Sequence, residues 1–119
     1  MKFKLFEIKN MKEPLTGLIE KEIPVTAAFR LQNLIKAFDE QLQIIEEYRV
    51  QLINKFGKKN EEKGEIEVPT KKMKDFMKSM NELLNEEVEI DYRPININTF
   101  GDDLRVTTKT LMILEKIFE

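Results

Sequence analysis

Between Val25 and Phe56 the chain carries neither Gly nor Pro, and its apolar positions recur at helical spacing. Leu31, Ile35, Phe38, Leu42, Ile45, Leu52 and Phe56 follow a 4-3-4-3 rhythm, with Arg49 in the one seat that is not apolar. Leu34, Tyr48 and Ile53 widen the stripe. This pattern predicts one long amphipathic helix, closed by Gly57 at the place where a left-handed residue belongs. At 1.5 Å per residue the helix is roughly 48 Å long, whereas a compact chain of 119 residues has a radius of gyration of only about 13–14 Å. The helix should therefore project beyond a compact body, and its stripe needs a cover.

Pro69 and Thr70 open a second strong helical pattern, with Thr70 as the expected N-cap. Met73, Phe76, Met77, Met80, Leu83 and Leu84 form its stripe, and the spacing assigns these methionines to the core rather than to an adaptable binding face. Laid antiparallel on the long helix, this segment makes a projecting hairpin over about 25–86, with a polar tip at 57–67 that is the segment expected to be mobile. About 15 residues cannot cover about 32, so part of the long stripe stays uncovered.

Weaker signals frame the hairpin. Phe3 and Leu5 alternate with Lys2 and Lys4 as a short strand, and Pro14 suits the first turn of a short helix ending before Pro24. Glu65–Val68 reads as a short strand leaving the tip. Val88, Ile90 and Tyr92 alternate with Glu87, Glu89 and Asp91 in the clearest strand pattern of the chain, and Ile95 and Ile97 suit an edge segment beyond it. Residues 99–103 read as a turn. Thr107 or Thr108 then caps a last helix in which Leu111, Met112, Ile113, Leu114, Ile117 and Phe118 are apolar on most sides. The expectation is a single α+β domain over 1–119, mostly helical. A long helix in an antiparallel hairpin is joined by a small two- or three-stranded sheet and a C-terminal helix.

Composition narrows the chemistry. The chain has no Cys, His or Trp, which excludes disulfide scaffolds, Cys/His zinc sites, thiol nucleophiles and every histidine base. A net charge of −2 argues against a protein whose main task is gripping a phosphate backbone. No apolar run approaches the ~18 residues needed to span a bilayer. The N-terminus lacks the apolar core and cleavage site of a secretory signal, so a cytoplasmic location is expected.

Three constellations compete for a functional role. Glu87, Glu89 and Asp91 share one strand face, but same-face neighbours stand about 7 Å apart. Solvated acids opposite a buried face explain them, and Asp102-Asp103 beside Gly101 is turn chemistry. Lys55, Lys58, Lys59, Lys63, Lys71, Lys72 and Lys74 gather near the hairpin tip. Lys58, Lys59, Lys71 and Lys72 are the candidate anion contacts among them, although interleaved glutamates dilute the charge. Arg49 either turns to solvent beside Glu46 or Glu47 or sets register against another helix. The expected docking residues are Leu31, Ile35, Phe38, Leu42 and Arg49 on the long helix, with Leu111, Leu114 and Phe118 on the last one. No phosphate-cradling glycine loop or nucleophile elbow is present.

The run of features from Glu22-Ile23-Pro24-Val25 through Ala28-Phe29-Arg30-Leu31 to Tyr48–Gly57, then Met80–Leu84 and Val88–Asp91 before a Thr-capped helix, resembles a family of small proteins of unknown function. That family occurs in phages and prophages of low-GC Gram-positive bacteria. The resemblance implies a phage setting and transfers no catalytic residue. The expected function is therefore a non-enzymatic interaction protein without a cofactor. It would be a virion or assembly component, or an adaptor, that self-associates or docks through apolar helix faces. The alternative is a phage accessory inhibitor that binds a host defence or regulatory protein. A nucleic-acid binder and a carboxylate metal enzyme rank below both, and no membrane partner is expected.

Overall fold

The computed structural model describes residues 1–60 and 64–119. Among them, β1 (Lys2–Lys4) leads directly into α1 (Leu5–Ile19), followed by α2 (Val25–Phe56), β2 (Lys58–Asn60), β3 (Glu65–Glu67), α3 (Thr70–Leu84), β4 (Glu87–Glu89) and α4 (Thr108–Leu114). Short 3₁₀ turns at Ile97–Phe100 and Glu115–Ile117 bracket the last segment. The long helix has the bounds that its stripe predicts. The α+β, mostly helical architecture with a helical hairpin is the one expected.

The first helix differs from expectation and changes the packing. It begins at Leu5 rather than at Pro14, because Leu5, Ile8, Met11, Leu15 and Leu18 already keep helical spacing and all five are buried. The Glu7 carboxylate accepts a hydrogen bond from the Lys4 backbone N–H at 2.9 Å, which satisfies one donor of the first turn. Pro14 therefore lies inside the helix, where it removes the bond to the Asn10 carbonyl. Burial of the apolar face outweighs that local loss. α1 lies along α2 and covers the part of the long stripe that α3 does not reach.

The strands anchor the body. β1 pairs antiparallel with β4 in the register Lys2 with Glu89, Phe3 with Val88 and Lys4 with Glu87, and the Leu5 N–H donates to the Glu86 carbonyl at 2.9 Å. Since β4 begins just after α3, this pairing fixes the C-terminal end of α3 at the body. The 15 residues of α3, about 22 Å of helix, run back from the far end along the distal half of α2. The result is elongated, 56 × 28 × 22 Å with a radius of gyration of 18.0 Å. The core joins Phe3, Ile8, Leu15, Leu31, Leu34, Phe38, Ile95, Leu114 and Ile117, and among the described residues Tyr92 is the one buried side chain that carries a polar group.

The far end closes with a second antiparallel pair, β2 on β3, with Lys58 opposite Glu67 and Asn60 opposite Glu65. The centre of the expected mobile tip, residues 61–63, lies outside the described residues. Gly57 is not left-handed: it is extended at φ −86°, ψ 160°. Its requirement is space, because a Cβ there would fall on the Ile53 carbonyl oxygen and 2.5 Å from Ile66 Cγ2. Gly57→Ala, although conformationally allowed, is expected to cost about 1–3 kcal/mol through overpacking. Thermal unfolding reads this as a drop of several degrees, and an unchanged midpoint would show that β3 sits further from α2. Thr70 also departs from expectation. It is the first helical residue, Pro69 precedes it in the cap position, and no side chain caps this end.

Candidate docking surfaces

Burial sorts the expected docking residues into two groups. Leu31, Ile35, Phe38 and Leu114 belong to the core. The expectation that they meet a partner is corrected, because α1 and the C-terminal segment already occupy their surface within the chain. Leu42 is half-buried against the same core. Arg49 is exposed and turns back on its own helix, its Nε 2.9 Å from the Glu46 carboxylate, so it sets no register within the chain. That guanidinium hydrogen bond holds the Glu46 carboxyl below its usual range. Leu111 and Phe118 remain at the surface, Leu111 exposed and Phe118 half-buried.

These last two belong to a groove on the outer side of α4. Its volume is about 480 Å³, and it is lined by Ile97, Leu111, Met112 and Phe118 with Glu115 and Glu119 at the rim. Local structure holds it open. Thr107 caps α4 by accepting the Thr110 N–H at 3.1 Å, and Phe118 packs edge-on against Phe100 with ring centroids 5.7 Å apart. Ile95 bridges to the C-terminal residues, its N–H donating to the Ile117 carbonyl at 3.1 Å and its carbonyl accepting from the Glu119 N–H at 2.8 Å. Lys116 ties the same turn to α1: its Nζ lies 3.2 Å from the Glu7 carboxylate and 4.8 Å from the centre of the Phe3 ring. Burial pushes the Glu7 carboxyl up, but the Lys4 N–H and Lys116 together hold it below its usual range. Met112, 70 % exposed, is the most accessible apolar side chain of the groove. An all-round apolar helix reads as buried, so the sequence gives no sign of which side stays open.

A larger cavity, about 730 Å³, has a different character. Arg30, Asn33, Asp91, Arg93 and Glu119 line it beside Tyr92 and Pro94. Arg30 donates to the Arg93 carbonyl and stands 5.9 Å from the centre of the Tyr92 ring. Two guanidiniums facing two carboxylates leave no net charge to attract an ion of either sign.

The remaining candidates stay dispersed. Lys58 is exposed opposite Glu67, the Lys59 backbone pairs with Ile66, Lys71 is exposed and Lys72 half-buried. Lys63 lies outside the described residues. Glu87 and Glu89 point away from the core, as the alternation predicts, and Glu89 binds the amino group of Met1 at 2.7 Å. Among the described residues no three acidic, His or Cys side chains gather where they could hold a metal ion. Likewise, no helix among them is long and apolar enough to cross a membrane.

The methionines of α3, expected in the core, divide between core and surface. Met80 is buried, but Met73 and Met77 are 41 % and 48 % exposed on α3, and Ile44 and Tyr48 are 40 % and 50 % exposed on α2. Two helices bury only the seam between them, and both stripes are wider than that seam. Compared with protein-family models, with curated proteins and with solved structures, the chain matches none of them.

Proposed function

We propose that this chain is a non-enzymatic phage protein, a virion or assembly component that docks on a protein partner through an apolar helix face. The observation that carries this reading is the groove of Ile97, Leu111, Met112 and Phe118. Its side chains are held in place by a capped helix and a bridged C-terminal segment, yet they face solvent. Contiguous apolar surface that stays open on a well-packed scaffold is the usual mark of a protein contact. The phage setting rests on the pattern resemblance of Glu22–Val25, Ala28–Leu31 and Tyr48–Gly57.

Mass spectrometry of purified phage particles tests the reading. The chain is expected in the particles in reproducible stoichiometry, and Met112→Lys is expected to lower its incorporation at least tenfold. The monomer should melt within a few degrees of the wild type, since the Met112 side chain is mostly outside already and a cation suits the last turn of a helix. Absence of the chain from particles overturns the virion assignment, and recovery of a stoichiometric host protein on the same groove would replace it with the inhibitor reading.

A further inference from the structure

We propose that the distal hairpin pairs with a second copy of this chain, the Ile44–Tyr48 edge of α2 in one copy meeting the Met73–Met77 edge of α3 in the other. This deepens the docking reading and rests on it in treating exposed helix faces as contact surfaces, but it uses a different surface from the α4 groove.

Each edge is an apolar pair at i, i+4, so its two side chains stand one above the other on a single face. Within the chain the seam between α2 and α3 is filled by other residues: Ile45 and Met80 are buried there, with Leu52, Phe76, Leu83 and Leu84 packed around them. The two remaining pairs each keep 40–50 % of their surface open.

The charges beside the two edges are opposite. From Asp39 to Tyr48, α2 carries Asp39, Glu40, Glu46 and Glu47 and no Lys or Arg. α3 carries Lys71, Lys72, Lys74 and Lys78 against Asp75 and Glu82. Asp39 pairs with Lys12 and Glu46 with Arg49, whereas Glu40, Glu47, Lys74 and Lys78 are exposed and form no ion pair among the described residues. Glu40 and Glu47 flank Ile44 at helical spacing. Lys74 and Lys78 flank the methionine pair.

This combination selects the occupant. An acidic surface, such as a nucleic acid or an anionic membrane, would match the α3 edge and be repelled by the α2 edge. A partner that satisfies both edges needs one apolar helix rimmed with acids and another rimmed with lysines, and a second copy supplies both. Like edges repel, so the contact sets α2 of each copy on α3 of the other. With a contact helix of about 22 Å, the interface lies toward the small end of specific contacts. Association should therefore depend on concentration and weaken with salt.

Sedimentation velocity across a concentration series tests this with the full chain, E40K/E47K, K74E/K78E and an equimolar mixture of the two variants. The wild type is expected to gain mass with concentration. Each variant alone should associate at least tenfold more weakly, because both of its edges then carry one sign, and mixing the variants should restore association. Far-UV circular dichroism confirms that the variants fold, which exposed positions favour. Met77→Gln, which changes no charge, should weaken association as well. A wild type that stays monomeric throughout overturns the proposal, as does association insensitive to both reversals or a folded mixture that fails to associate. Self-association that survives both reversals but is lost in Met112→Lys removes this contact and leaves the groove as the docking surface.

Discussion

Phe38→Ala is expected to destabilise the isolated chain by about 3–5 kcal/mol, the range found when a buried aromatic ring is truncated. For a chain of this size that corresponds to a fall of roughly 10–20 °C in the thermal midpoint, a large part of a total stability of about 5–15 kcal/mol. Phe38 is fully buried. Its ring meets Phe3 edge-on, with centroids 5.3 Å apart and planes at 80°, and Phe3 in turn sits opposite Val88 in the β1–β4 pair. One side chain thus joins the long helix to the sheet, and alanine would leave a void that neither a strand nor a 32-residue helix can collapse to fill. The measurement also separates two accounts of the long stripe. Were Phe38 a docking residue, as the stripe alone suggests, alanine would leave the monomer's midpoint unchanged and impair only association. A loss near the expected size at low protein concentration places Phe38 in the chain's own core.

What the chain reveals through periodicity is set by how long each pattern lasts. The long helix, α3 and a threonine cap at Thr107 or Thr108, which the structure places at Thr107, were legible because their patterns run for several turns or rest on a specific capping residue. α1 was hidden because Phe3 and Leu5 alternate as a strand does, while Leu5, Ile8 and Met11 also fit a helix. Three residues of one period do not outweigh the other. Pro14 then acts as a false start signal, since its usual place is the first turn and only tertiary burial holds it in the interior. This one error propagated. With α1 shortened, the stripe at Leu31, Ile35 and Phe38 had no cover in the chain and read as a contact surface.

The candidate surfaces were less legible for a physical reason. Periodicity tells which residues share a face, but exposure depends on which neighbour arrives and how wide a strip it covers. Met73 and Met77 share a stripe with Met80, yet only Met80 reaches the seam. Ile97 and Met112 are 15 positions apart in the sequence and meet in one groove because Ile95 bridges to the C-terminal turn. No local pattern encodes that juxtaposition. Leu111 and Phe118 were expected to meet a partner because a helix apolar on most sides is normally buried, within the chain or against another protein; Leu111 is exposed and Phe118 half-buried.

The groove also depends on a titratable group. Tyr92 is buried, and its hydroxyl donates to the Ile117 carbonyl at 2.7 Å, holding the turn that presents Phe118. Burial pushes the Tyr92 phenol up to about 12, although the nearby Arg30 guanidinium pulls the other way. The unfolded chain releases this proton at its ordinary value of about 10, so the folded state holds it more tightly. Its contribution is complete below pH 10 and is lost as the pH rises through 12, which amounts to about 2–3 kcal/mol over the two pKa steps. Tyr92→Phe removes both the hydrogen bond and the titration. The Ile117 carbonyl keeps the Ile95 N–H as a donor, so near neutrality the variant should be less stable by only about 1 kcal/mol. Because its ring no longer ionises, the variant loses less stability than the wild type as the pH climbs, and the two are expected to cross near pH 11. Urea unfolding of both proteins at several values between pH 8 and 12 reads the crossing directly. Every other group is common to the two proteins, so its effect cancels in the difference. A constant gap across that range would mean that the phenol is solvated in the folded state and that the C-terminal turn is held by the Ile95 bridge alone.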